Sequence, residues 1–375
     1  MKTIKSIALI IIVFAAFCCI AELFAAIFFL TYPPITAFIK TNRSGFDRTA
    51  LHSCKTLAQT HAIEREHRAA NKNIYSPWIE FRVRDFHGTY VNVSGPIRAS
   101  VPDRNKPGQA KKIFFFGGST MFGYNVADDE TIVSCFVKEL QCRQLFQAVQ
   151  VYNYGQPYYY SFHEAQALQT MLLSGVRPDM VIFLDGLNDC IQPGATYHRE
   201  PFFTSQLRTL WNLAAQHNAI GALLFHSNAM QLIGIIAGML SGRNAYAAYD
   251  LPGRMSADSI WSTVYTSYCS TVEYTHQLCQ NMNIDCMFFW QPVPFYNYDR
   301  SSDPLCSKRD FPQFAKLYPQ IKDYSRALLR VVFLGDLLVT ADSLPFVDGF
   351  HYSASFNRTI AAAMVDSLLQ RKLLQ

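Results

Sequence analysis

Short apolar runs alternate along this chain with longer stretches in which apolar residues recur at helical spacing. Ile113-Phe114-Phe115-Phe116 has no polar break, and Gln150–Asn153, Met180–Leu184 and Ile284–Trp290 follow it as further strand-length segments. Apolar runs of this length without alternation are the mark of strands buried on both faces, as in a parallel sheet. Between them, Thr131–Phe146 places Ile132, Val133, Phe136, Val137, Leu140 and Leu145 mostly at helical spacings. Phe162–Leu173, closed by Ser174-Gly175, reads as a second helix, with Gly175 as its C-terminal cap. Ser256–Asn281, Tyr318–Phe333 and a closing segment from about Ala354 to Leu373 read as helices, and Phe346-Val347 as a short last strand. Strands separated by helices predict an α/β protein: a three-layer α/β/α fold with a doubly wound, mostly parallel sheet.

Outside that core the pattern changes. Residues 51–72 are polar and helix-compatible, and residues 75–100 hold alternating runs that predict a small extended or hairpin region. Residues 190–255 are the least regular part, with helical pieces expected at Leu207–Ala215 and Asn228–Leu240. The second piece is markedly apolar but too short to span a bilayer, so it reads as a cap or membrane-facing excursion. At the other extreme, residues 6–30 form an apolar run broken only by Glu22, preceded by Lys2 and Lys5. At about 1.5 Å per residue this run crosses a hydrocarbon core of roughly 30 Å. It exceeds the apolar stretch of a cleaved leader, which predicts an uncleaved transmembrane anchor with its N-terminus in the cytoplasm and the rest of the chain outside it (periplasmic, if bacterial). Glu22 is costly in lipid and counts against the span. The expected organisation is a cytoplasmic tip and anchor over 1–31, a connector and lead-in over 32–110, and the α/β domain over 111–375 with an excursion at about 190–255.

Composition narrows the field. The chain has 375 residues, half of them apolar and 14% aromatic, enough for a large core and too apolar for disorder. Net charge is +5, with the basic residues scattered rather than clustered among stacking aromatics, so nucleic acid is not an expected partner. Among ten cysteines there is no CxxC pair, which argues against a zinc ribbon or a thioredoxin-like centre. Their spacing permits disulfides without specifying any, and Cys135 and Cys142, if both helical, lie too far apart for one.

Candidate chemistry sits on the loops that follow the predicted strands. The first carries Ser119, the second Gly155 after Asn153, the third Asn188, and the last Asp348 and His351. In a doubly wound sheet these loops share one edge. A serine hydroxyl needs a base to become a nucleophile, and histidine titrates near working pH. His351 fits as the base, Asp348 as the carboxylate that orients it, and the Ser119 and Gly155 N–H groups with the Asn188 amide as oxyanion donors. Taken singly, each motif has a plainer explanation: a tight turn, a helix cap, a surface histidine. Asp189 and Asp185 read as structural, His163 and His198 as satisfied or surface histidines, and Tyr158-Tyr159-Tyr160 equally as packing or as the wall of an acceptor groove.

In that order, Phe116-Gly117-Gly118-Ser119-Thr120, Gly155, Gly186-Leu187-Asn188-Asp189 and Asp348-x-x-His351 resemble the blocks of the SGNH (GDSL-like) hydrolase superfamily. The resemblance covers roughly residues 111–373, and residues 75–98 are similar to the lead-in of membrane-anchored bacterial members. Gly118 stands where the strict pattern has aspartate. The resemblance implies a flavodoxin-like SGNH fold, a Ser119–His351–Asp348 triad with an oxyanion hole at Ser119, Gly155 and Asn188, and no metal or organic cofactor. It implies a membrane-anchored esterase or acylhydrolase acting on an ester-bearing lipid, glycan or small molecule. Two alternatives stand beside it: an O-acyltransferase acting on an envelope glycan, and a non-catalytic binding or assembly protein of the same fold. The oligomeric state is not legible. Other sites lack essential residues. Tyr124 replaces the lysine of a phosphate loop, there is no Gly-x-Ser-x-Gly elbow, and His163-Glu164 lacks the second histidine of a zinc protease.

Overall fold

A computed structural model describes residues 12–28, 48–53, 55–101, 110–145, 148–191, 212, 227–230, 232–233, 257–301, 303–306, 311, 313–341 and 344–374. The chain falls into two compact units, Met1–Phe46 with Phe203–Asp250, and Asp47–Phe202 with Leu251–Gln375.

The smaller unit contains a helix over residues 12–28, α1, and short helical stretches at 228–230 and 232–233. Among the described residues no helix is long and apolar enough to cross a membrane. Both ends of the predicted 6–30 span, and most of the predicted pieces at 207–215 and 228–240, lie outside the described residues.

The larger unit begins with α2 (Leu57–Ala70), whose start is fixed by a capping box: Thr56 accepts from the Gln59 N–H and the Gln59 side chain accepts from the Thr56 N–H. The alternating lead-in forms strands β1 (Asn73–Ser76) and β2 (Glu80–Val83), paired with each other, then β3 (Phe86–His87), β4 (Asn92–Ser94) and β5 (Ile97–Arg98). The core follows: β6 (Lys111–Gly117), α3 (Ser119–Phe122), α4 (Ile132–Cys142), β7 (Val149–Asn153), α5 (Ser161–Leu173), β8 (Met180–Asp185), α6 (Leu187–Ile191), α7 (Ala257–Asn281), β9 (Asp285–Trp290), α8 (Gln313–Ala327), β10 (Val331–Phe333) and α9 (Ala354–Gln370).

Among the described residues β10-β9-β8-β6-β7-β5-β4-β3 form one sheet in that order. The five strands from β10 to β7 are parallel, and β5, β4 and β3 continue the sheet in antiparallel pairing. The parallel strands alone, numbered as they occur, run 2-1-3-4-5. That is the flavodoxin-like order, and it places the topological switch point between β6 and β8. The expected three-layer α/β class is therefore present; of the lead-in strands, β3, β4 and β5 are part of its sheet, while β1 and β2 pair with each other.

Both faces of the sheet are sealed. On one, Ile113, Phe115, Ile182 and Phe289 meet Phe136 and Leu140 of α4 and Ile360, Met364 and Val365 of α9. On the other, Tyr154, Phe116, Phe183 and Phe288 form a row of nearly parallel rings across neighbouring strands, with centroids 4.8–5.4 Å apart. The register sets this row, since Phe116 pairs with Phe183 and Phe183 with Phe288.

Two expectations fail at the C-terminal end. The predicted helix Tyr318–Phe333 is two elements: α8 stops at Ala327, and Val331-Val332-Phe333 is an edge strand paired with β9. A short run rich in valine fits either a helix or a strand by periodicity, and pairing decides it. Phe346-Val347 is not a sheet strand; Phe346 makes an isolated antiparallel bridge with Tyr352. Among the described residues the cysteines are free thiols.

The aromatic row makes a stability prediction. Phe183→Ala removes the ring between two stacked neighbours and should cost about 3–5 kcal/mol in urea denaturation; a loss below about 1 kcal/mol would mean that the ring is not packed in the core as described.

Candidate active site

At the switch point β6 ends in Gly117-Gly118 and the chain turns directly into α3, whose first residue is Ser119. Gly118 is needed by close approach. A Cβ there would stand 2.5 Å from Asn188 Nδ2 and 3.0 Å from the Tyr159 carbonyl oxygen. Asn188 lies on α6, just beyond β8, and its amide donates to that same Tyr159 carbonyl at 2.6 Å. One of its two N–H bonds is committed to the loop. The other is available beside Gly118, adjacent to the Ser119 N–H.

His351 reaches this edge from the far end of the domain. The Phe346–Tyr352 bridge, closed by the Val347 N–H donating to the His351 carbonyl at 2.8 Å, forms a tight loop ahead of α9. Ser353 then caps α9 by accepting from the Phe356 N–H. In this loop His351 Nε2 lies 2.8 Å from Ser119 Oγ, and His351 Nδ1 lies 2.9 and 2.8 Å from the two Asp348 oxygens. Ser119, His351 and Asp348 thus form one hydrogen-bonded chain. Asp348 also accepts from the Phe350 and His351 N–H groups and from the Asn125 amide at 2.8 Å. Burial pushes the Asp348 carboxyl up, but the His351 charge and these hydrogen bonds outweigh it and hold the carboxyl at about 2.

Gly155 enters differently from expectation. Its N–H donates to Asn153 Oδ1 at 2.9 Å, while Asn153 Nδ2 donates to the Met121 carbonyl. A Cβ at 155 would stand 2.4 Å from the Phe122 nitrogen. Gly155 therefore lets the β7 loop press against the α3 backbone, and its N–H is engaged by Asn153 in this geometry.

Two neighbours of the triad have no motif in the sequence. Asn125 holds Asp348 from a left-handed backbone conformation, φ 63°. The Tyr124 ring packs on the His351 ring with centroids 4.7 Å apart, and its hydroxyl accepts from Asn71. Burial, and then the Asp348 charge, push the Tyr124 hydroxyl up to about 12, so it stays neutral over the working range. The loop that carries this pair is fixed by the lead-in. The fully buried Arg98 donates to the Phe122 and Val126 carbonyls and pairs with Asp128. Asn92 donates to both Asp128 oxygens, and His67 Nε2 lies 2.8 Å from the Val126 carbonyl.

The other singled-out residues sort out by burial. Asp189 accepts from the Ser161 hydroxyl at 2.6 Å and from the Gly186 N–H at 3.1 Å, so it braces the turn that carries Asn188. Glu164 and Asp185 are buried next to it. Burial, and then the charge of a neighbouring acid, raises both carboxyls well above the usual carboxylate range. His163 is a core residue stacked on Tyr159, its pKa pushed down to about 3 by burial. Tyr159 and Tyr160 are buried, while Tyr158 is half-buried with φ 71°. His198 lies outside the described residues. Among the described residues no group of three or more His, Cys, Asp or Glu is arranged to hold a metal.

No protein-family model matches the sequence, and no curated protein matches it. Among solved structures the chain is similar to GDSL-like lipases, esterases and acylhydrolases. The acetyl xylan esterase AlAXEase is 13% identical, with a TM-score of 0.38 over 68% of this chain and 99% of that one. A lipase/acylhydrolase from Enterococcus faecalis is 15% identical, with a TM-score of 0.38 over 70% and 96%. A GDSL-like lipase from Bacteroides thetaiotaomicron is 11% identical, with a TM-score of 0.34 over 70% and 89%. With identities this low and TM-scores below 0.5, these likenesses bear no weight on what the chain does.

The low Asp348 pKa sets a stability prediction with a definite sign. A carboxyl depressed from 3.8 to about 2 on folding contributes stability that is complete above the unfolded value and is lost as pH falls through the folded one. Urea denaturation between those two pH values should show this loss in the wild type and a flatter dependence in Asp348→Asn. Equal slopes would show that the carboxylate is not held by its neighbours.

Proposed function

We propose that this chain is a serine ester hydrolase of the SGNH type, anchored to a membrane through its N-terminal apolar segment. The observation that carries the hydrolase reading is the continuous bonding from Ser119 Oγ to His351 Nε2 and from Nδ1 to Asp348.

Each group has a defined part. His351 Nε2 takes the proton as Ser119 Oγ attacks the ester carbonyl, and the carbonyl π-electrons move to oxygen. Asp348 remains ionised, keeps the Nδ1 proton in place and stabilises the imidazolium that forms. The tetrahedral oxyanion is met by the Ser119 N–H and by the second Asn188 N–H. His351 returns its proton to the departing alkoxide, leaving an acyl–Ser119 ester and free alcohol. A water then gives its proton to His351, attacks the acyl carbon and releases the acid, and Ser119 recovers its proton. No step needs a metal or organic cofactor. A sugar hydroxyl could replace that water, which would make the chain an acyltransferase; the same site chemistry serves both.

Membrane attachment is supported by the apolar run at residues 6–30 and by the apolar surface of α1, along which Phe14, Phe17 and Phe24 are each about two-thirds exposed.

A fluorophosphonate ester tests the nucleophile: it should label the wild type and leave Ser119→Ala unlabelled, and equal labelling of both would remove Ser119 from the mechanism. Asn188→Ala should lower kcat by roughly 10²–10³-fold while the fold persists, as expected for loss of one oxyanion donor. An unchanged kcat would assign Asn188 to packing alone.

A further inference from the structure

The smaller unit pairs two features that are each unfavourable alone. Glu22 is the one charged residue in the apolar run of residues 6–30. An isolated carboxylate in hydrocarbon is costly. The helix beginning at residue 228 opens with backbone N–H groups that have no intrahelical acceptor, which is equally unfavourable away from water.

Here each satisfies the other. Glu22 Oε1 accepts from the Asn228 N–H at 2.6 Å and from the Asn228 side-chain amide at 2.7 Å. Oε2 accepts from the Ser227 hydroxyl at 2.7 Å and from the Ala229 N–H at 3.1 Å. Ser227 Oγ accepts in turn from the Met230 N–H at 3.2 Å. Both carboxylate oxygens are thus doubly bonded, and three N–H groups at the start of the second helix are taken up.

The described surface of α1 is largely apolar. Ile12, Phe14, Phe17, Leu23, Phe24 and Ile27 of α1 are 50–67% exposed, whereas Ala25 is buried. At about 100° per residue the exposed side chains cover an arc of roughly 200°. That is too wide for the narrow seam through which one helix packs on another. Met230 and Ile233 of the second segment are 45% and 56% exposed. Glu22 lies eight residues before the end of the apolar run at residue 30, about 12 Å along a helix axis, so the contact with Ser227 is within the apolar stretch and not at its boundary. Lys2 and Lys5 before the run and Lys40 and Arg43 after it suit a lipid headgroup region on each side.

Resting on the membrane-anchor reading above, we infer that residues 227–230 and 232–233 enter the bilayer beside α1, with Glu22 capping the helix that begins at 228, and that lipid acyl chains are the partner of the exposed apolar face. The acid that counted against a lone anchor is then what fastens a second inserted segment to it. The Glu22 carboxylate has hydrogen-bond donors on both oxygens, and the start of the helix at 228 is not left open.

Spin labels on full-length protein in phosphatidylcholine–phosphatidylglycerol nanodiscs test this, placed singly through Phe17→Cys, Met230→Cys and Ile233→Cys with the other reactive thiols replaced. Collision with oxygen reports lipid and collision with a nickel chelate reports water. High oxygen and low nickel accessibility is expected at all three positions. Nickel accessibility at 230 and 233, with position 17 still in lipid, would overturn the inserted segment and leave the anchor standing. Low accessibility to both reagents at 230 and 233 would mean that a second copy or another protein covers the face, and would overturn lipid as its partner. Nickel accessibility at 17 would overturn the anchor itself, and the inference with it. In Glu22→Leu, nickel accessibility at 230 should rise several-fold while position 17 is unchanged; no change at 230 would overturn the role given to Glu22.

Discussion

Everything at the active edge depends on how closely three backbones meet where β6 ends. Gly118 has no space for a methyl group because the Asn188 amide and the Tyr159 carbonyl already occupy it. That contact brings the loops after β6, β7 and β8 to one point. It leaves Ser119 as the first residue of a helix, with its N–H free of the strand ladder and an amide donor alongside. The switch point of the parallel sheet supplies the crevice, and close approach of the backbones supplies its polarity. A side chain at 118 would collide with the Asn188 amide and the Tyr159 carbonyl.

The base side is held from a distance. His351 and Asp348 sit in a loop defined by one β-bridge and a capped helix, and the outer face of that loop is met by Tyr124 and Asn125. Those two residues belong to a turn that Arg98, Asn92 and His67 fasten from the lead-in strands and α2. The lead-in therefore contributes to the geometry of the site although it carries no chemistry itself. Beneath the opposite loop, Asp189 braces the Gly186 turn, and burial favours the protonated form of Glu164 and Asp185. On the proposed mechanism, ionised acids at this depth would oppose the oxyanion, and keeping them protonated limits the conflict.

Much of this was legible in the order of residues. Ile113–Phe116 and Met180–Leu184 could be read as buried strands because neither has a polar break. The loops after them could be read as a site because a serine, an asparagine and an Asp-x-x-His pair recur at matching positions. Asp189 also behaves as the sequence suggests, bracing a turn. What was hidden depended on pairing or on contacts distant in the chain. Val331–Phe333 becomes a strand only because β9 lies next to it, and Phe346 fails to become one because its partner is Tyr352 six residues on. Asn125 bonds Asp348 across 223 positions, and no local pattern marks it. The Gly155 N–H could be expected to face the oxyanion, but Asn153, two residues earlier, accepts it instead.

In the proposed mechanism Ser119 forms a covalent acyl intermediate, with His351 moving the proton. Rapid acid quenching during turnover of 4-nitrophenyl acetate, followed by mass spectrometry of the proteolysed chain, tests it most directly. The account predicts an acetyl group on the peptide containing Ser119, present within the first turnover and absent from His351→Ala. Steady hydrolysis with no acetyl group on that peptide, or with the acetyl group on another residue, would contradict it.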